Sequence, residues 1–153
     1  MRTLLACVLA GLLSFTPNAS ATTTFDDGGV HVVNGPADDL VVTAATTVVL
    51  DVAANVFAPY PQIGVTGDAG STLRVEGGNV FGAAFSNLVG LNAVEWFDGT
   101  FEMHGGQLRG GDGFQTIGGH GLRAFDSNVT MTDGLVREES RRGPGCSSGS
   151  ASS

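Results

Sequence analysis

The segments 71-STLRVEGGNV-80, 99-GTFEMHGGQL-108 and 127-SNVTMTDGLV-136 begin in two equal steps of 28 residues. Within each, apolar and polar residues alternate, the period-2 pattern of a strand with one buried face. The inward set reads Leu73/Val75, Phe101/Met103 and Val129/Met131. The outward set reads Thr72/Arg74/Glu76, Thr100/Glu102/His104 and Asn128/Thr130/Thr132. Each strand runs into Gly77-Gly78, Gly105-Gly106 or Asp133-Gly134, where the backbone is free to turn through positive φ.

Working outward, the same step pairs Val89 with Ile117, Val94 with Leu122, Trp96 with Ala124, Phe97 with Phe125 and Asp98 with Asp126. Val80, Leu108 and Val136 make a further apolar column. A looser copy over positions 46–52 lies 25 residues upstream of the first segment, with Val48 and Leu50 as its inward pair. Val30 to Val33 and Leu40 to Val42 read as two more short strands, and no long stretch has helical periodicity. One coil cannot bury its inner face alone, whereas stacked coils bury it continuously. The expectation is an all-β chain, a short right-handed parallel β-solenoid of about four coils with a 28-residue repeat. A β-sandwich is the competing architecture, but matched Phe-Asp and Gly-Gly positions at equal spacing argue against it. In this register Trp96 is a core residue, and Phe97 with Phe125 forms a corner aromatic step.

The run 122-LRAFDSNVTMTDGLV-136 resembles the repeats of exported bacterial β-helix proteins, similar to autotransporter passengers and pectin-lyase-like solenoids. Proteins of this kind also include PEP-CTERM-type chains. The resemblance covers about residues 26 to 136 and implies a fold more than an activity. It departs at the end: 137-REESRRGPGCSSGSASS-153 lacks the Pro-Glu-Pro, apolar span and basic terminus of that sorting tail.

Composition narrows the function classes. The net charge is −8, from 7 Arg against 15 Asp+Glu with no Lys, and 24 of 153 residues are Gly. Nucleic-acid binding needs a basic stripe, which this acidic chain lacks. Arg2, the apolar run Leu4 to Phe15 and Ala19-Ser20-Ala21 have the form of a signal peptide over residues 1–21. The run is too short for a spanning helix, so the expected product is secreted, periplasmic or surface-bound without a stable membrane span. Cys7 leaves with the signal, and Cys146 alone permits no internal disulfide. The expected organisation is signal peptide 1–21, solenoid 22–136 and a disordered Arg/Gly/Ser tail 137–153. The abrupt break after Val136 and the lack of a capping helix read as loss of part of a longer array. An open strand edge of that kind invites edge-to-edge self-association.

Chemistry is sparse. Asp98 and Asp126 fall one coil apart, a spacing of about 5 Å that suits an acidic pair in a glycosidase or a Ca²⁺ site. Each also precedes a tight turn, where Asp hydrogen-bonds its own backbone, and this structural role is the preferred reading. The segments 110-GGDGFQ-115 and 118-GGHGLR-123 mimic half of a Ca²⁺-binding repeat, but Gln115 and Arg123 replace the ligand Asp. They read as flexible turns. His31, His104 and His120 have no zinc-ligand spacing, and no cofactor is expected. The sequence therefore points to a structural or surface-adhesive solenoid that meets a glycan, a matrix polymer or a like protein. The alternative is a degenerate carbohydrate-active β-helix enzyme or glycan-binding module using Asp98 and Asp126.

Overall fold

Alternating residues of the kind quoted above form strands wherever their apolar members meet a matching column. The structure, a computed structural model, describes residues 21–84, 89–113 and 117–139. The first rung holds β1 (Thr23–Phe25), β2 (Val30–Val33) and β3 (Pro36–Ala37), and the second β4 (Leu40–Val42), β5 (Thr47–Leu50) and β6 (Asn55–Phe57). The third holds β7 (Val65–Gly67), β8 (Thr72–Val75) and β9 (Asn79–Phe81). The fourth comprises β10 (Val94–Phe97), β11 (Thr100–Met103) and β12 (Gln107–Arg109), and the fifth β13 (Leu122–Phe125), β14 (Asn128–Met131) and β15 (Leu135–Arg137). Among the described residues there is no helix.

Every third strand pairs in parallel, giving three five-stranded sheets: A (β1-β4-β7-β10-β13), B (β2-β5-β8-β11-β14) and C (β3-β6-β9-β12-β15). The expected parallel β-solenoid is what the structure shows. Thr72, Thr100 and Asn128 are direct partners, as are Asn79, Gln107 and Leu135, so the 28-residue period governs the last three rungs. The looser copy is also in place, since Val48 lies beside Leu73 and Leu50 beside Val75. The first rung is tighter, with Val30 beside Thr47.

The core is a set of columns running up the stack. Val48, Leu73 and Phe101 are fully buried from sheet B, as are Leu50, Val75 and Met103. Val56, Val80 and Leu108 line the axis from sheet C, and Leu40, Val65 and Val94 from sheet A. Burying one such side chain contributes roughly 1.5–3 kcal/mol, so the ladder hydrogen bonds and these columns reinforce each other rung by rung.

The sheet A column shows how volume is shared. Val42, Gly67, Trp96 and Ala124 are successive partners. A Cβ on Gly67 would stand 2.2 Å from the Trp96 ring, so the fully buried indole fits only because the rung below has no side chain there. Trp96 is core, as expected, and its Nε1 has no hydrogen-bond partner. Shape alone holds it.

The last inward pair behaves differently. Val129 and Met131 stand in register with Phe101 and Met103, yet they are 42% and 45% exposed. Among the described residues no sixth rung lies over them. The segment expected to be a signal peptide lies outside the described residues except for Ala21. Of the segment expected to be a tail, Arg137 completes β15, Glu138 and Glu139 follow it, and positions 140–153 lie outside the described residues.

Candidate functional site

The corner between sheets A and B carries Asp98 and Asp126. Their neighbours Phe97 and Phe125 are direct partners, so the two aspartates occupy the same turn on adjacent rungs. Both are exposed, with φ of 50° and 47°. The left-handed region is unfavourable for most L-residues and easier for Asp. Asp98 N–H donates to the Phe125 carbonyl at 3.0 Å, and its own carbonyl accepts from Gly70 N–H at 2.9 Å. The backbone at this position is thus fully employed in joining three rungs. The structure brings the two residues together on an open corner, and neither lines a groove described below. Phe97 and Phe125 stack beside them at 5.0 Å with planes 5° apart, and the Arg123 guanidinium lies 4.7 Å from the Phe125 ring centroid.

The outer face of sheet B is polar over its last three rungs, while its first rung presents Val30 and Val32 there, 72% and 63% exposed. Thr47, Thr72, Thr100 and Asn128 form one outward column, and Val49, Arg74, Glu102 and Thr130 the next. Arg74 bonds Glu76 and lies 4.0 Å from Glu102, which stands 3.8 Å from His104. His104 Nδ1 is 3.1 Å from Thr132 Oγ1. All are at least partly exposed, so each ion pair adds little stability. Their effect is to order a polar array on a rigid ladder. Of the four strand arginines, Arg109 and Arg137 are direct partners on sheet C, Arg123 lies on sheet A and Arg74 on sheet B.

The glycine-rich segments are not loose turns where they are described. Gly110, Gly111, Gly118 and Gly119 are buried, with Gly111 N–H donating to Leu91 and Gly119 N–H to Gly111. A Cβ on Gly110 would stand 1.7 Å from the Gly119 carbonyl oxygen, and one on Gly118 equally close to that of Glu139. Backbone packs on backbone here, and glycine is what allows it. Positions 114–116 lie outside the described residues. His31 takes an inward register position in the first rung, beside buried Val48. Its Nε2 is 2.8 Å from Asp27 Oδ1, which also accepts from Gly29 N–H at 2.8 Å. The His31 bond, then the Gly29 bond, hold the Asp27 carboxyl below its ordinary value. Among the described residues no three His, Cys, Asp or Glu side chains are grouped to hold a metal ion.

The outer face of sheet C was not singled out by the sequence reading. Asn55, Asn79 and Gln107 form an amide column, with Asn79 Nδ2 donating to Asn55 Oδ1 at 3.0 Å. Beside it run Phe57, Phe81 and Arg109. The two rings stack at 4.7 Å with planes 7° apart. A groove of about 340 Å³ opens there, lined by both rings, Arg109 and Asp112. The signal was present as an Asn-Val-Phe tripeptide at 55–57 and again at 79–81, 24 residues apart and so off the 28-residue period. Compared with protein-family models, curated proteins and solved structures, the chain matches none.

Proposed function

We propose that this protein is an exported β-solenoid of structural or surface-adhesive role, without catalysis of its own, that meets extracellular glycan or matrix polymer through its ladder faces. The observation that carries this reading is the outer face of sheet B. There Thr47, Thr72 and Thr100 repeat at the strand spacing, about 4.8 Å, with Arg74, Glu102 and His104 beside them on successive rungs of a scaffold that fixes them in one surface. A repeating polymer meets such a surface in many equivalent contacts, so individually weak bonds sum. The resemblance to exported β-helix repeat proteins belongs to the same reading, and the parallel coil stack supports it. Edge-to-edge contact between copies through the fifth rung is a further part of the proposal.

The test is retention of the full chain on insoluble polysaccharides, compared with an Arg74→Ala/Glu102→Ala variant whose fold is checked by circular dichroism. Retention should fall at least several-fold in the variant. A second reading, an acidic-pair enzyme, is favoured by the stacking of Asp98 on Asp126. Incubating wild type and Asp98→Asn with acidic and neutral polysaccharides separates the two. A polysaccharide-cleaving activity lost in Asp98→Asn would overturn the non-catalytic proposal.

A further inference from the structure

We infer that the outer face of sheet C holds a binding groove for a neutral hexose polymer, with the Phe57 ring as its stacking platform; this rests on the adhesive reading and gives it a ligand class and a place. Phe57 is 55% exposed although it is a large aromatic. One face of its ring stacks on Phe81. The other is turned toward the first rung, where a second groove of about 290 Å³ is lined by Phe57 together with Pro36 and Asp38. Phe57 therefore stands between two grooves, and together they run along the solenoid axis. Each volume is near the lower end of the range for small-molecule sites, roughly 300–1,000 Å³. A single extended ligand following the axis would cross both and pass over the ring.

The polar groups define the chemistry. Asp112 Oδ1 is shielded from solvent and has no hydrogen-bond partner. Arg109 Nη2 stands 3.6 Å from it, an ion pair beyond hydrogen-bond range, and the Arg109 Nε is bonded to Glu139. The Asp112 side chain is 35% exposed, but a shielded oxygen without a hydrogen-bond donor still gains from one. A sugar hydroxyl is a donor of the right kind, and it also accepts from the Arg109 guanidinium. The Asn55/Asn79/Gln107 column offers further amide donors and acceptors alongside. An aromatic platform offers apolar area and a polarised face with little rotamer entropy. It suits the C–H face of a sugar ring whose hydroxyls point outward around its rim.

Charge selects neutral over acidic polymers. Arg109, the cation among the residues lining the groove, is shared between Asp112 and Glu139, Arg137 stands beside it outside that lining, and the whole chain carries −8. A uronate chain would bring like charge to Asp112 and Glu139, which share one guanidinium, in an acidic chain.

The experiment is calorimetric titration of the full chain with cellohexaose and, separately, with hexagalacturonate. Cellohexaose should bind, and hexagalacturonate should bind at least about tenfold more weakly. Phe57→Ala should weaken cellohexaose binding by roughly tenfold. Phe57→Leu, which keeps apolar bulk against Phe81 but loses the flat ring, should weaken it nearly as much. Asp112→Asn should lower affinity several-fold. No binding of cellohexaose by wild type overturns the inference, as does binding indifferent to both Phe57 variants or a preference for the uronate. Arg74→Ala/Glu102→Ala keeps the two proposals distinguishable. If that variant loses oligosaccharide binding while the Phe57 variants keep it, the sheet C groove is refuted and adhesion through sheet B stands.

Discussion

Single residues in this molecule are chosen by what the neighbouring rungs leave free. Gly67 lies under the Trp96 ring, and a methyl group there would sit 2.2 Å from it. Gly67→Ala should therefore destabilise the fold by roughly 1–3 kcal/mol, the usual consequence of overpacking, read as a lowered denaturant midpoint. Trp96→Leu added to it should recover part of the loss, because the two positions share one volume and their effects do not add. The turn joining β4 to β5 shows the reverse situation. Ala44 and Ala45 have φ of 55° and 58°, and Thr46 N–H donates to the Thr43 carbonyl at 3.1 Å. That is a type I′ turn, which favours Asn-Gly. Ala45→Gly should raise stability by about 1 kcal/mol, less than the strain removed because glycine gains freedom in the unfolded chain. The same logic applies to Asp98 at φ 50°. Asp98→Gly should be neutral or stabilising, whereas Asp98→Val should lose roughly 1–2 kcal/mol. Such a result would mark the residue as a turn former whatever its carboxylate does.

At the scale of elements, strands were legible because their inward and outward residues alternate and their partners recur at constant spacing. Val48 and Leu50 were placed correctly even at a step of 25, since alternation survives a change in turn length. The groove on sheet C was not legible. Phe57 and Phe81 are 24 apart, and nothing in a tripeptide tells which sheet it joins or that the ring beside it is parallel. The glycine corner was misread for a related reason: the local sequence of a tight backbone contact is the same as that of a loose turn. The β1–β2 connection, by contrast, has a property that titration reports directly. Asp27 accepts from His31 and from Gly29 N–H, and its carboxyl is held below the ordinary value, mainly by His31. A depressed folded-state value means that its contribution is present above the unfolded value and is lost as pH falls through the folded one. His31→Ala should move the Asp27 carboxyl back up toward the ordinary value in an NMR titration. Asp27→Asn should make the first rung's melting less sensitive to acid than in wild type. An unmoved Asp27 titration in His31→Ala would remove His31 from the account.

At the scale of the whole molecule, the two ends of the stack differ. In the first rung the inward positions of β2 are Val33 and His31, the latter bonded to Asp27 with the Phe25 ring 4.8 Å from its imidazole. The fifth rung instead offers Val129, Met131 and Leu135, each more than 40% exposed, on strands whose outer edges have no partner among the described residues. Such edges are templates for pairing, and apolar residues in core register make this one adhesive as well as open. Two copies meeting through their fifth rungs bury like surface on like, a closed arrangement. A first rung meeting a fifth would set the His31–Asp27 pair together with Phe25 and Val33 against that patch. Opposing either contact is the net charge of −8, whose repulsion salt screens over about 8 Å at physiological ionic strength. The full chain should therefore self-associate in sedimentation velocity across the micromolar range, and more strongly as salt is added. Met131→Lys places a charge on the exposed patch without filling the buried core, and it should shift the population to monomer with melting little changed. A wild-type chain that stays monomeric in high salt would mean that the fifth rung is not an interface between copies.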